Sequence, residues 1–231
     1  LSLADQAYET IKSDIITCVL EPGQQVAQSQ LVERYQTGVT PIREALQRLA
    51  QEGFVQAIPR FGYVVSPLTF SDIHEMFELR SIVETAGVRL ATVRGSEKQL
   101  EAISEAANFT YVYKNRQSYS DFLERNTAFH RSIAVAAGNE RLVAFISKLL
   151  DELTRVFHVG LDLRDSAEEM RDEHIALARV LRERDPDRAE QLVRSQISRS
   201  QERVLEALTN RSGGAFSDGL MQAVRIEPPG P

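Results

Sequence analysis

Residues 40–55 read TPIREALQRLAQEGFV, and this run decides the N-terminal fold. Ile42, Ala45, Leu46 and Leu49 share one helical face. Pro41 falls in the first turn, where its missing N–H costs little, and Gly53 is a C-terminal stop. The spacing predicts a helix over 39–52. Downstream, 54–58 and 63–65 are β-prone runs joined by Pro59-Arg60-Phe61-Gly62 as a hairpin. Upstream, a short helix over 28–35 turns Leu31, Val32 and Tyr35 inward. Before it, 4–19 places Ala7, Tyr8, Ile11, Ile15 and Cys18 or Val19 on one face and breaks at Glu21-Pro22-Gly23. Three helices and a β hairpin in this order make a winged helix-turn-helix.

Beyond Ser66-Pro67-Leu68 the pattern becomes almost wholly helical. Helices are expected over 70–93, 96–114, 117–136, 139–159, 166–184 and 186–210, broken at Gly95, Asn115, Gly138-Asn139, Gly160 and Asp185-Pro186. Such a series indicates an antiparallel six-helix bundle. The fold class is therefore mainly α, with a winged helix-turn-helix over 1–66, a hinge over 67–70 and a helical domain over 71–211. The remainder, 212–231, turns to Gly, Ser and Pro and reads as a disordered tail.

A chain of 231 residues holds two such cores comfortably. No apolar stretch approaches the roughly 20 residues that span a bilayer, so no membrane association is expected. The single cysteine, Cys18, excludes an internal disulfide framework, fits a reducing cytoplasm and reads as a small buried apolar residue. Net charge is −6, and residues 1–66 carry five cations against seven anions. A global basic field is absent, so any phosphate binding must come from local arginines and helix N-termini.

In the winged helix-turn-helix, the third helix enters the major groove with its N-terminal residues at base edges. Arg43, in its first turns, suits a guanine or a phosphate. Thr40 and Gln47 lie on compatible faces, Arg60 at the hairpin tip is the natural wing contact, and Gly62 completes the wing. The other reading of so small a unit is a protein-interaction module. The run from Leu31-Val-Glu-Arg-Tyr through TPIREALQRLAQEGFV to Pro59-Arg-Phe-Gly-Tyr-Val-Val resembles the N-terminal domain of GntR-type regulators. That resemblance implies a homodimer on a palindromic operator in double-stranded DNA. The family usually has Ser or Thr where Gly38 stands, Arg where Val39 stands and often Arg at Ser29. These departures imply an unusual operator or weaker affinity.

The bundle carries a second signal. The inward stripes hold Arg80 and Glu84 on the first helix, Asn126 and His130 four apart on the third, His174 on the fifth and Gln196 on the last. Unpaired polar groups are costly inside a core, so these residues are expected to meet in one polar cavity. Imidazoles can bind a divalent metal or donate to an anion, and Arg80 can clamp a carboxylate or simply pair with Glu84. His74 and His158 read as peripheral.

Glu78-Leu-Arg-Ser-Ile-Val-Glu, Asn126-Thr-Ala-Phe-His130 and Glu173-His174 followed by Gln196 resemble the FCD effector domain of the FadR-like branch. The resemblance implies an effector site of Arg80, Asn126, His130, His174 and Gln196, and a small organic acid as ligand. It also implies a divalent metal (Zn, Ni or Mn) on Asn126, His130 and His174, weakened because amides stand at two ligand positions. Without metal, the site would bind the acid directly. The expected function is a transcription repressor whose operator affinity responds to that metabolite, with no enzymatic activity. The alternatives are a ligand-sensing bundle whose DNA domain has lost function, and a metal-dependent hydrolase or lyase using Glu173 or Glu84 as base.

Overall fold

The computed structural model describes residues 1–60, 62–161 and 164–212, so Phe61 and all of the expected tail over 212–231 except Ser212, which is helical, lie outside the described residues. The described chain forms two compact units that divide after Phe70.

The first unit runs α1 (Leu3–Ile16), β1 (Gln25–Val26), α2 (Gln28–Tyr35), α3 (Val39–Gln51), β2 (Val55–Ile58) and β3 (Gly62–Val65). Ile11, Ile15, Ile42, Ala45, Leu46, Leu49 and Val65 are all 0% exposed at its centre. Each large aliphatic side chain buried there contributes about 1.5–3 kcal/mol. Tyr8 donates to Glu52 at 2.7 Å and Lys12 pairs with Glu52 at 3.2 Å, fastening α1 to the end of α3. α1 stops at Ile16 rather than 19 because Cys18 turns left-handed (φ 55) and Leu20 N–H bonds to the Asp14 carbonyl. That reversal carries Leu20 into the core, and Cys18 is buried as expected.

The sheet order is β1-β3-β2, with both pairs antiparallel and Ile58 opposite Gly62. β1 is too short to show a period and was not predicted. It lies beside β3, with Val26 opposite Tyr63. Gly62 permits this approach: its φ is +93, and a Cβ there would lie 3.0 Å from the Val26 carbonyl oxygen.

The second unit holds α4 (Phe70–Arg94), α5 (Glu97–Ala106), α6 (Arg116–Ala136), α7 (Glu140–Leu161), α8 (Ala167–Arg182) and α9 (Pro186–Ser212). One expectation fails by two turns: α5 ends at Ala106, not 114. The following run, Phe109-Thr-Tyr-Val-Tyr113, is aromatic and β-branched and drives its rings inward. Phe109 and Tyr111 are 4% and 5% exposed, and the Tyr111 hydroxyl accepts from Ser166 N–H at 2.7 Å. The α8–α9 turn is fixed by Arg184, whose guanidinium donates to the carbonyls of Thr92 and Gly95 and to Glu97. It thereby satisfies the open carbonyls at the end of α4. His158 is a further correction. It is buried, because the last turns of α7, from Leu153 to Leu161, are enclosed on nearly every side. His74 is exposed as expected.

Candidate functional site

The first unit offers a surface built on α3. Thr40, Arg43 and Gln47 are exposed there, and Gly38 caps the helix without any side-chain hydrogen bond. Gln28, at the start of α2, donates to the Val39 carbonyl at 3.1 Å and ties the two helix starts together. Arg60, at the hairpin tip, is exposed with φ 70.

The ion pairs of this unit sort its cations without changing its acidic balance, since Glu9, Glu21, Glu33 and Glu44 stay outside them. Of its five cations, Lys12 pairs with Glu52, Arg34 with Asp14, and Arg48 with Asp5 while lying 3.9 Å over the Tyr8 ring. Arg43 and Arg60 make no ion pair with another described residue. The neutralised cations fasten the fold, and the two that keep their charge sit on α3 and on the wing. Local field, rather than net charge, is what an anionic backbone meets at contact distance.

The second unit brings Arg80, Glu84, His130 and His174 together in its interior. Glu84 is gripped on both oxygens: Arg80 Nε donates to Oε1 at 2.8 Å, and His130 Nδ1 lies 3.0 Å from Oε2. The remaining nitrogen of His130, Nε2, faces Arg80 Nη2 at 3.4 Å. This pattern is satisfied by the Nδ1–H tautomer, with Nε2 as acceptor. Burial alone would raise the Glu84 carboxyl, but the Arg80 guanidinium and His130 outweigh it and hold its pKa at about 2.

His174 sits 5.5 Å from the His130 ring, centre to centre. Its ring is stacked on Phe109 at 4.6 Å and lies against Phe129 at 4.9 Å. Burial, with His130 and Arg80 beside it, drives its pKa well below the usual histidine value. The imidazole is therefore neutral, and its Nδ1 is buried without a hydrogen-bond partner among the described residues. Asn126, one turn before His130, is 3% exposed and makes no hydrogen bond to another described residue. Gln196 is only loosely part of this group: its amide donates to the Glu173 carbonyl at 2.6 Å and lines a charged groove between α8 and α9. In that groove Arg203 grips Glu173 through both guanidinium nitrogens, each at 3.0 Å.

The expected single cavity is thus a closed polar cluster. A small void of about 10 Å³ touches Glu84 and His130 but is otherwise lined by Gly87, Val88, Leu177 and other apolar residues. Phe109 was missed by sequence reasoning. Its only signal was the aromatic run that ends α5.

These residues do not fit a divalent metal. No group of three or more His, Cys, Asp or Glu is placed to hold one among the described residues. His130 has its Nδ1 on Glu84 and its Nε2 against a guanidinium, whose charge would oppose a cation there. The remaining donors are one imidazole and one amide, too few and too weak for Zn²⁺.

Residues 75–199 match the model of the FCD domain, and residues 3–65 match that of bacterial regulatory proteins, gntR family. The chain is 27% identical over 198 residues to the HTH-type transcriptional repressor GlaR of Escherichia coli strain K12, covering 82% of this chain and 90% of that protein. It is 24% identical over 199 residues to the HTH-type transcriptional repressor RspR of the same strain, covering 86% and 87%. Among solved structures it resembles E. coli McbR/YncC, with a TM-score of 0.72 at 19% identity over 89% of this chain and 98% of that one. A GntR family member from Pseudomonas syringae gives a TM-score of 0.55 at 21% identity, covering 92% and 88%. No helix among the described residues is long and apolar enough to cross a membrane.

Proposed function

We propose that this chain, which belongs to the gntR family of bacterial regulatory proteins and carries an FCD domain, represses transcription as a homodimer until a small organic acid occupies its helical unit. It is a DNA-binding transcription regulator, not an enzyme. The finer reading concerns what DNA site it prefers and what releases it.

DNA binding through α3 and the wing is supported by the two arginines outside any ion pair among the described residues, Arg43 and Arg60, which stand exposed on those elements while the unit's three other cations are held by carboxylates. Each phosphate they neutralise releases counterions, so affinity should fall steeply with salt. A two-fold dimer would read a palindrome.

Effector binding rests on one observation: the neutral His174 carries a buried Nδ1 with no partner among the described residues, near Arg80 and His130. A polar ligand that satisfies this atom recovers the desolvation that the protein alone leaves uncompensated. Arg80 commits its Nε to Glu84 and meets His130 only at 3.4 Å, so much of its donor fork is open to a carboxylate. The acid would be held directly, without metal. A ligand that favours one of two arrangements shifts operator affinity by that difference, commonly 5–150-fold.

The test uses the full chain with a random DNA pool. Enrichment of a short palindrome, bound with steep salt dependence, is expected. Small carboxylates (sugar acids, hydroxy acids and fatty-acid derivatives) are then titrated against the complex. One class should release wild-type protein and leave the His174→Phe variant bound. No enrichment from folded protein at low salt would overturn the operator reading. Equal release of wild type and variant would overturn the effector site.

A further inference from the structure

Val39 opens α3 and stands 59% exposed, in register with Arg43 and Gln47 one and two turns further on. It is an anomaly on a surface that meets a polyanion. Its neighbours Gly38 and Pro41 offer no polar side chain, so Thr40 is the one hydrogen-bonding side chain in that turn. The position is also firmly held: Gln28 donates to the Val39 carbonyl, and a β-branched side chain has few rotamers to lose.

A rigid apolar group at the tip of a helix in the major groove has one matching surface there. The base pairs present donors, acceptors and a single apolar substituent, the C5-methyl of thymine. Against any donor or acceptor, valine would strip water and give no hydrogen bond in return. Against the methyl it removes apolar area of both partners from water. We infer that Val39 is a specificity residue seated on a thymine methyl, so that each operator half-site carries thymine opposite the first turn of α3. This rests on the operator reading above and adds one letter of sequence to it. Arg43, one turn along the same row, keeps the polar contact.

The experiment takes the selected operator and the full chain and replaces each thymine singly by deoxyuridine, which keeps every hydrogen-bonding group and lacks only the methyl. In one position per half-site, wild-type affinity should fall about fourfold, the worth of one buried methyl, and about fifteenfold when both half-sites are changed. Val39→Ala should bind the unmodified operator more weakly by a similar factor and lose the dependence on that methyl. Val39→Arg should move the preference at that position to guanine. Since Val39 is exposed, neither variant should disturb folding. Deoxyuridine effects identical in wild type and Val39→Ala would overturn the inference while leaving the operator reading intact. Failure to select any operator would remove both.

Discussion

Replacing Glu84 by glutamine keeps the shape of the buried cluster and removes the charge that Arg80 and His130 enclose. A carboxyl held at about 2, against an ordinary 4.5, favours its charged form by on the order of 3 kcal/mol. At only 7% side-chain exposure, solvent screens little of that. The variant leaves a buried guanidinium without its counter-charge, a change that typically costs about 3–5 kcal/mol. For a unit of this size the helical transition should fall by about 6–20 °C in calorimetry of the full chain at neutral pH. The sign follows from linkage. A depressed carboxyl pKa contributes fully above about pH 4.5 and loses its contribution as pH falls toward 2. The gap between wild type and Glu84→Gln should therefore narrow through that window. Arg80, released from Glu84, should also bind anionic effectors more tightly. A variant within about 0.5 kcal/mol of wild type at pH 7, where ordinary surface changes fall, would refute the reasoning. So would a gap that stays constant down to pH 3.

His174 gives a second pH effect at higher pH. Because its folded pKa lies well below 6.5, the unfolded chain takes up a proton that the folded chain refuses, so stability is full above that value and declines as pH falls. Denaturant unfolding should show wild type losing about 2 kcal/mol more than His174→Phe between pH 8 and 5; parallel curves would exclude a neutral buried imidazole. In the DNA-binding unit, Gly62→Ala forces a Cβ against the Val26 carbonyl at positive φ and should cost about 1–3 kcal/mol. Unchanged unfolding of that unit would mean that β1 yields freely.

The winged helix-turn-helix was readable because its helices are patterned on one face. Ile42, Ala45, Leu46 and Leu49 needed no tertiary information to be placed. β1 was not readable, since two residues carry no period and owe their pairing to a glycine far along the chain. In the bundle, helix periodicity set Arg80, Asn126, His130 and His174 inward, and all are buried. What periodicity could not supply was how those groups divide their hydrogen bonds. Sequence offers Glu84 only as one of two partners for Arg80, yet it is the hub of the cluster. Phe109 escaped because α5 was extended through a run whose aromatics belong to the core rather than to a helix.

Arg184 has a consequence for the order in which the helical unit assembles. It closes the open carbonyls of α4 from a turn 89 and 92 residues away, so this cap has no local counterpart in the chain. Joining points so far apart carries a loop-closure cost that must be met before the contact returns any energy. The last turn of α4 is therefore expected to remain frayed until the α8–α9 turn docks, and to loosen again whenever that turn lifts. Amide exchange at Arg94 and Gly95 would then report on the opposite end of the sequence, and the contact would govern how slowly the unit opens rather than how fast it forms.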